Sequence, residues 1–537
     1  MRLREIGEAR KVGPAGEGMV LVQTTLSVVF EIEPQTAPLA RSVLAAMNAR
    51  EAAGANPDAT LRRQIPSLHF MSMTVFDDDQ YDPVVVLEAN FDGAPSGFWP
   101  NLEAAIGPDL RTLLRCAKII DGPAGPLLTA LAAPGSAAPL APILDALSVK
   151  PAVFHHGNRG LDRGRIEREA ALFDAVARLA DDPALRKDTA QMAHAKLRAA
   201  VLPAFPWLTQ APPPRIPWTE NLADWARLAA FIAVVVGALA APALVMAAVF
   251  QTGLWPLFLG VLCIALRLRV GDMNGATGRP RLATRIAKLA VLIAGLANIA
   301  AWHADAPCPT WLQWPAWATL LASAILGVGA SLLAVFAWLR TRERADPETN
   351  APQTDEAELR RMAAREDFFP TNHMLSIVHI KPGVLRTVLA LVGLTGLGLI
   401  LRVWSRSRAG YLASMRTIHF AHWAVISNGG RLMFHSNFDG SWESYLDDFI
   451  EKANVGLTLA WTNGVGFPKT RFLIFGGATQ GRKFKAFARA SMRETLFWFA
   501  AYPHLSVNQI ERQARLAAGL RQASLSPQAA QAWALDL

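Results

Sequence analysis

Leu228-Ala-Ala-Phe-Ile-Ala-Val-Val-Val-Gly-Ala-Leu-Ala-Ala-Pro-Ala-Leu-Val-Met-Ala-Ala-Val-Phe250 is the stretch that decides how this chain is built. It carries no charge over a length that exceeds the roughly 20 apolar residues a helix needs to cross a bilayer. Three more apolar runs follow it: Leu254–Leu268, Ile286–Trp302 and Ala316–Leu339. Together they predict a transmembrane block of about four helices over residues 226–340. Soluble-looking segments lie on both sides, at 20–200 and 371–510. They join the block through a Pro-rich linker, 201–225, and a second linker, 341–370; residues 511–537 read as a tail, loose from about Ser524.

The flanking charges orient this block. Arg267, Arg269, Arg279, Arg281, Arg285 and Lys288 crowd one loop against the single acid Asp272, and Arg340, Arg342 and Arg344 follow the last run. The Ala301–Pro315 loop has no Lys or Arg but carries Trp302, Trp311 and Trp314. Positive charge stays on the cytoplasmic side and Trp sits at interfaces. The expectation is a multi-pass protein of a bacterial inner membrane with both termini cytosolic. The polar Met1–Met19 offers no signal peptide.

Composition removes several function classes. The net charge of +9 is accounted for by Arg-rich loops, and no basic stretch interleaves with aromatics as a single-strand binder requires, so no nucleic acid is expected. Cys116, Cys263 and Cys308 have neither metal nor redox spacing, and no residue set is assigned to a metal. Phosphate-loop, dinucleotide, His-Glu-x-x-His and Gly-x-Ser-x-Gly motifs are missing. The apolar runs lack central acids or bases, which argues against ion-coupled transport.

In the first soluble segment, strands are expected at Thr24–Glu33, Ser67–Phe76, Pro83–Phe91 and Ala152–His156, and helices at Ala37–Ala53, Phe98–Ala117 and Arg163–Leu179. The second reads as strands at Met374–Lys381, Arg416–Ile426 and Arg431–Phe438, with helices at Trp442–Ala453 and Lys483–Phe499. The apolar run Val384–Val403 takes the place of its first helix. A single crossing there would put flanking strands on opposite sides of the membrane, so it is read as lying in the interface or packed on the sheet. Strand, helix, strand, strand, helix, strand is the ferredoxin-like order. The fold class is therefore α+β plus transmembrane α, with two ferredoxin-like units flanking a four-helix membrane block.

The two segments also match each other. Phe30-Glu-Ile-Glu-Pro34 answers Val378-His-Ile-Lys-Pro382, Leu68-His-Phe70 answers Ile418-His-Phe420, and Asn90-Phe-Asp-Gly93 answers Asn437-Phe-Asp-Gly440. Three matches in order on the same elements indicate internal duplication. In this respect the chain resembles the tandem ferredoxin-like proteins that form dimeric α+β barrels, and distantly the dye-decolourising-type haem peroxidases among them. Their acid motif Gly-x-x-Asp-Gly is represented by Ala89-Asn-Phe-Asp-Gly93 and Ser436-Asn-Phe-Asp-Gly440, both without the leading Gly. The resemblance implies a barrel of two packed sheets, with haem as the possible cofactor and Asp92 and Asp439 as catalytic acids.

Alternation places Glu88 with Asn90, and His435 with Asn437, on one face of their strands, with His69 and His419 on the neighbouring strands. His419, His435, Asp439 and Asp92 are the candidate catalytic residues; His69, Glu88, Asn90 and Asn437 are the candidate cofactor-binding ones. His419 and His422, three apart on a strand, make a poor metal pair, and of His155 and His156 one is expected buried and the other exposed. The Asp-Gly turns would cap the helices that follow them. The function expected is an oxidoreductase of haem-peroxidase type acting on a lipophilic substrate, in contact with membrane lipids. The alternative is a non-enzymatic ligand-binding or scaffold protein at the membrane surface.

Overall fold

A computed structural model describes residues 23–53, 60–183, 185, 188–211, 216, 218–252, 316–347, 354–366, 370–404 and 415–537. The chain divides into two units, one of 1–225 with 348–468 and 473–537, the other of 226–347 with 469–472.

The first unit is mixed α+β and holds both of the segments whose sequences match each other. Its opening strand, β1 (Gln23–Glu31), is stopped by Pro34, which cannot donate to a ladder, and helix Ala37–Ala53 follows. Then come β2 (Leu68–Phe76), β3 (Val84–Asp92), helix Pro95–Leu114, β4 (Ser148–Val149) and β5 (Val153–His156). The second half repeats the order with β6 (Thr371–His379), helix Val384–Trp404, β7 (Ile418–Ile426), β8 (Arg431–Asp439) and helix Trp442–Trp461.

Each half builds an antiparallel sheet, and each sheet borrows its last strand from the other half. One runs Phe497–Ala500, β2, β3, β1, β4; the other runs Met492–Arg493, β6, β8, β7, β5. This corrects two sequence expectations. Val153–His156 is not the fourth strand of the first sheet: Ser148–Val149 takes that place, Pro151 breaks the run, and β5 pairs with β7. The helix expected over Lys483–Phe499 stops at Ser491, where the β-favouring Phe497-Trp498-Phe499 becomes the strand paired with β2.

β2 is buried along its whole length, and β3 and β8 are buried up to their final Asp. Such strands are covered on both faces. Helices cover the outer faces. The inner faces meet through Phe76, Val84 and Val86 against Leu375, Ile377, Ala424, Ile426 and Met433. Further along the same inner faces polar side chains replace the apolar ones: Glu88 and Asn90 on β3, His435 and Asn437 on β8, all buried.

Helix Val507–Arg521 runs into the expected tail 511–537, and the part expected to be loose, from about Ser524, carries helix Pro527–Ala534. Trp533 is buried, donates through Nε1 to the Leu516 carbonyl at 3.0 Å, and covers Gly519 so closely that a Cβ there would lie 2.2 Å from its Cδ1.

Among the described residues two helical stretches, not four, are long and apolar enough to cross a membrane: Trp218–Val245 and Val384–Val403. Leu228–Phe250 runs unbroken within helix Trp218–Thr252. In the second unit, helix Ala316–Ala345 meets it at small residues: a Cβ on Gly327 would sit 2.3 Å from the Ala243 Cβ, and Ser331 Oγ donates to the Leu239 carbonyl at 2.8 Å. The expected runs Leu254–Leu268 and Ile286–Trp302 lie outside the described residues. Helix Val384–Trp404 buries Leu394, Leu397 and Leu401 and exposes Val384, Val388 and Leu391. A Cβ at Gly398 would stand 2.7 Å from the Ala152 carbonyl, so this helix packs directly on the start of β5.

Candidate functional site

Glu88 sits mid-strand on β3, fully buried, with Ser27 on β1 and Ser72 on β2 opposite it. The corresponding place on β8 is His435, flanked by Leu375 on β6 and His422 on β7. The two places face each other. His435 Nδ1 lies 3.6 Å from Glu88 Oε2, and His422 Nδ1 lies 3.8 Å from Oε1. His373 of β6 reaches Oε2 with Nε2 at 3.1 Å and is hydrogen-bonded through Nδ1 to Thr495 Oγ1 at 2.8 Å. Ser72 Oγ donates to Oε2 at 3.0 Å; Asn90 and Asn437 donate through Nδ2 to Oε1 at 2.7 and 3.1 Å. Trp498 Nε1 donates in turn to Asn437 Oδ1 at 3.1 Å.

The carboxylate is thus well supplied with donors, but the imidazoles are not. His435 is 1 % exposed, and neither of its ring nitrogens has a hydrogen-bond partner among the described residues; Nδ1 of His422 is also without one. A buried polar group left unpaired costs about 1–3 kcal/mol. The His422 and His435 rings stack with centroids 4.9 Å apart and planes 2° off parallel. Burial, together with the neighbouring His435, depresses the His422 pKa to about 3. Burial lowers His435 as well, although Glu88 opposes it. Both rings are therefore neutral near pH 7, with lone pairs available. Burial pushes the Glu88 carboxyl up, but the His373 hydrogen bond and nearby His435 outweigh it and hold the group well below its ordinary range. A buried carboxylate beside neutral imidazoles is a cation site in charge and in donor type. One ligand atom each from Glu88, His373 and His435 falls within 4.8 Å of the others.

A second pattern appears at the ends of the same strands. The ladders shift register between Leu68 and Phe70 and, at the equivalent place, between Ile418 and Phe420. Such bulges re-aim side chains. They turn His69 towards Asp92 (Nε2 to Oδ1, 3.0 Å) and His419 towards Asp439 (2.8 Å). The other oxygen of each Asp caps a helix, but not the one that follows: Asp92 Oδ2 accepts from Arg163 N and Asp439 Oδ2 from Val507 N, both at 2.8 Å. The helices after the Asp-Gly turns have Ala94 and Ser441 at their N-caps.

No family model, no curated protein and no solved structure matches this chain.

Of the residues singled out in the sequence, the fold brings Glu88, Asn90, His435 and Asn437 into one cluster. It places His69 with Asp92 and His419 with Asp439 in two separate pairs. His155 and His156 are both buried, rather than one of each kind; His156 Nε2 is hydrogen-bonded to Thr25 Oγ1 at 2.8 Å. His373 lies one residue outside the strand expected from Met374, and Thr495 and Trp498 lie inside the helix expected over Lys483–Phe499, so none of the three is a candidate at the level of sequence. His422 makes a poor metal pair with His419 along its own strand, but its cross-strand neighbour is His435.

A haem does not fit these residues. His419 Nε2 is engaged with Asp439, the His422 and His435 rings lie against each other, and the neighbouring inter-sheet space is packed with Val84, Val86, Leu375 and Met433. A small cation fits the orphaned nitrogens.

Proposed function

We propose that this chain is a membrane-anchored metalloprotein whose two sheets close around a first-row transition-metal ion held by Glu88, His373 and His435, with His422 alongside. The observation that carries the reading is His435: a buried imidazole with neither nitrogen hydrogen-bonded, 3.6 Å from an ionised carboxylate and close to a second imidazole. Two imidazoles and one carboxylate are the donors of non-haem iron sites, and manganese and zinc accept the same set. Such an ion supplies Lewis-acid or one-electron chemistry when bound. This supports the oxidoreductase reading with a non-haem metal in place of haem. Closure of the site favours small reactants such as dioxygen or peroxide over a bulky lipid.

The protein's own residues prepare the site. Ser72, Asn90 and Asn437 fix the Glu88 carboxylate, and Trp498 fixes Asn437. The Thr495 contact to His373 Nδ1 leaves Nε2 aimed at the cluster. Supporting bonds of this kind orient ligands and set their basicity. The repeated strand–helix order and the face-to-face sheets support the ferredoxin-like, α+β-barrel reading. The apolar helical stretch Trp218–Val245 and the Arg-rich loops support an inner-membrane protein with both halves of the duplication on the cytosolic side.

Cobalt titration of the full chain in detergent tests the metal. The expected result is one equivalent bound, with visible d–d bands that disappear in His435→Phe. A folded protein that takes up no cobalt, or a His435→Phe variant with an unchanged spectrum, would overturn the assignment.

A further inference from the structure

The duplicated frame contains two His–Asp pairs with different surroundings. Each His carbonyl accepts from the strand borrowed from the other half: Ala501 N to His69 O and Gly157 N to His419 O, both at 2.8 Å. The next residue is Tyr502 in one copy and Asn158 in the other. Tyr502 carries the first pair further, its hydroxyl hydrogen-bonded to His69 Nδ1 at 2.7 Å. Asn158 donates instead to the Val507 carbonyl and Glu511, and His419 Nδ1 has no hydrogen-bond partner among the described residues. One copy thus holds a phenol hydrogen-bonded to an imidazole whose Nε2 lies 3.0 Å from a carboxylate oxygen without forming a hydrogen bond, and the other holds a hydrogen-bonded imidazole–carboxylate pair with no phenol.

The chain has four tyrosines, and Tyr445 provides a comparison. It is buried like Tyr502, but its hydroxyl donates to Ser436 Oγ at 2.9 Å, a partner that cannot take a proton. Tyr502 has a base at hydrogen-bond distance, and a carboxylate oxygen lies 3.0 Å from the other nitrogen of that base. Third-group orientation of a base is the logic of catalytic triads. Here the phenol is 5 % exposed, so it cannot attack a substrate. What remains for a buried phenol with a base is to lose an electron and a proton together.

We propose that Tyr502 is a one-electron donor whose phenolic proton passes to His69. The O–H bond of Tyr502 breaks, an Nδ1–H bond forms on His69, and the imidazolium is held by Asp92 at Nε2. The electron leaves to a one-electron oxidant, a role that an oxidised first-row metal ion held by Glu88, His373 and His435 would fill; this part rests on the function proposed above. A contact path exists: the Tyr502 ring lies 5.2 Å from that of Phe70, Phe70 pairs with Asn90 across the strands, and Asn90 donates to Glu88. Burial and the Asp92 charge push the Tyr502 pKa well above 10, which blocks loss of the proton alone.

The test uses the metal-free full chain in detergent with a photogenerated ruthenium tris-bipyridine oxidant and electron paramagnetic resonance detection, so it does not depend on the metal. The expected result is a tyrosyl signal that is lost in Tyr502→Phe and strongly reduced in His69→Gln, and that persists in His419→Gln and Tyr445→Phe. His69→Gln retains a polar partner and guards against misfolding of the Tyr502 variant. A signal that survives Tyr502→Phe, or one indifferent to His69→Gln, would overturn the proposal. A chain that gives the Tyr502 signal but binds no cobalt supports the tyrosine assignment and refutes only the metal as its oxidant.

Discussion

Replacing His435 by Phe separates a metal ligand from a structural ion-pair partner. As a ligand, His435 is strained in the metal-free protein, because both its nitrogens are buried without hydrogen bonds. Phe removes them and recovers about 1–3 kcal/mol for each unsatisfied group. It also adds volume to a packed interior, which costs about 1–3 kcal/mol. With two such groups the recovery is about 2–6 kcal/mol, so the metal-free variant should fall no more than about 1 kcal/mol below wild type. As an essential partner of Glu88, the same residue would leave a buried charge behind and cost about 3–5 kcal/mol. Metal provides the second readout. A ligand at a hundred times its dissociation constant stabilises the folded state by about 2.7 kcal/mol. Thermal unfolding with chelator and then with manganese or zinc should show a rise of several degrees in wild type and none in His435→Phe. Equal rises in both, or a collapse of the metal-free variant, would refute the reasoning.

Other outcomes follow from the same geometry. Burial lowers the His155 pKa from 6.5 to about 4, so the unfolded state binds the extra proton between those values. Stability should then fall as pH drops from 6.5 to 4, by about 1.4 kcal/mol per unit for this group, and denaturant titrations of His155→Phe should show a shallower acid slope. Gly398→Leu drives a side chain into the Ala152 carbonyl and should lower the unfolding temperature by the equivalent of about 1–3 kcal/mol; an unchanged midpoint would mean that the helix does not pack on β5. Trp533→Ala should cost about 3–5 kcal/mol, and denaturant unfolding that leaves stability unaltered would return the C-terminal residues to the status of a tail.

What the sequence revealed was local or repeated. The strands of both halves were legible because alternation, Pro34 and the Asp-Gly turns punctuate them. The Glu88, Asn90, His435 and Asn437 face was legible because period-two patterning fixes which side chains share a side. The strand exchange was not, since nothing in Val153–His156 distinguishes pairing with β1 from pairing with β7. His373 entered the site through the packing of one sheet on the other, which no spacing in a single strand records. The helix drawn over Lys483–Phe499 failed because helical periodicity is genuine as far as Ser491 and the aromatic run beyond it is too short to announce a strand. The Asp residues were expected at the nearest helices and serve distant ones, a choice made by bulges that only the paired strands define.

The most direct measurement is elemental analysis of the full chain purified without chelators, beside Glu88→Gln. The account predicts one first-row transition-metal ion per wild-type chain and near-complete loss in the variant. A folded wild-type chain without metal, or a variant that retains its full complement, would contradict it.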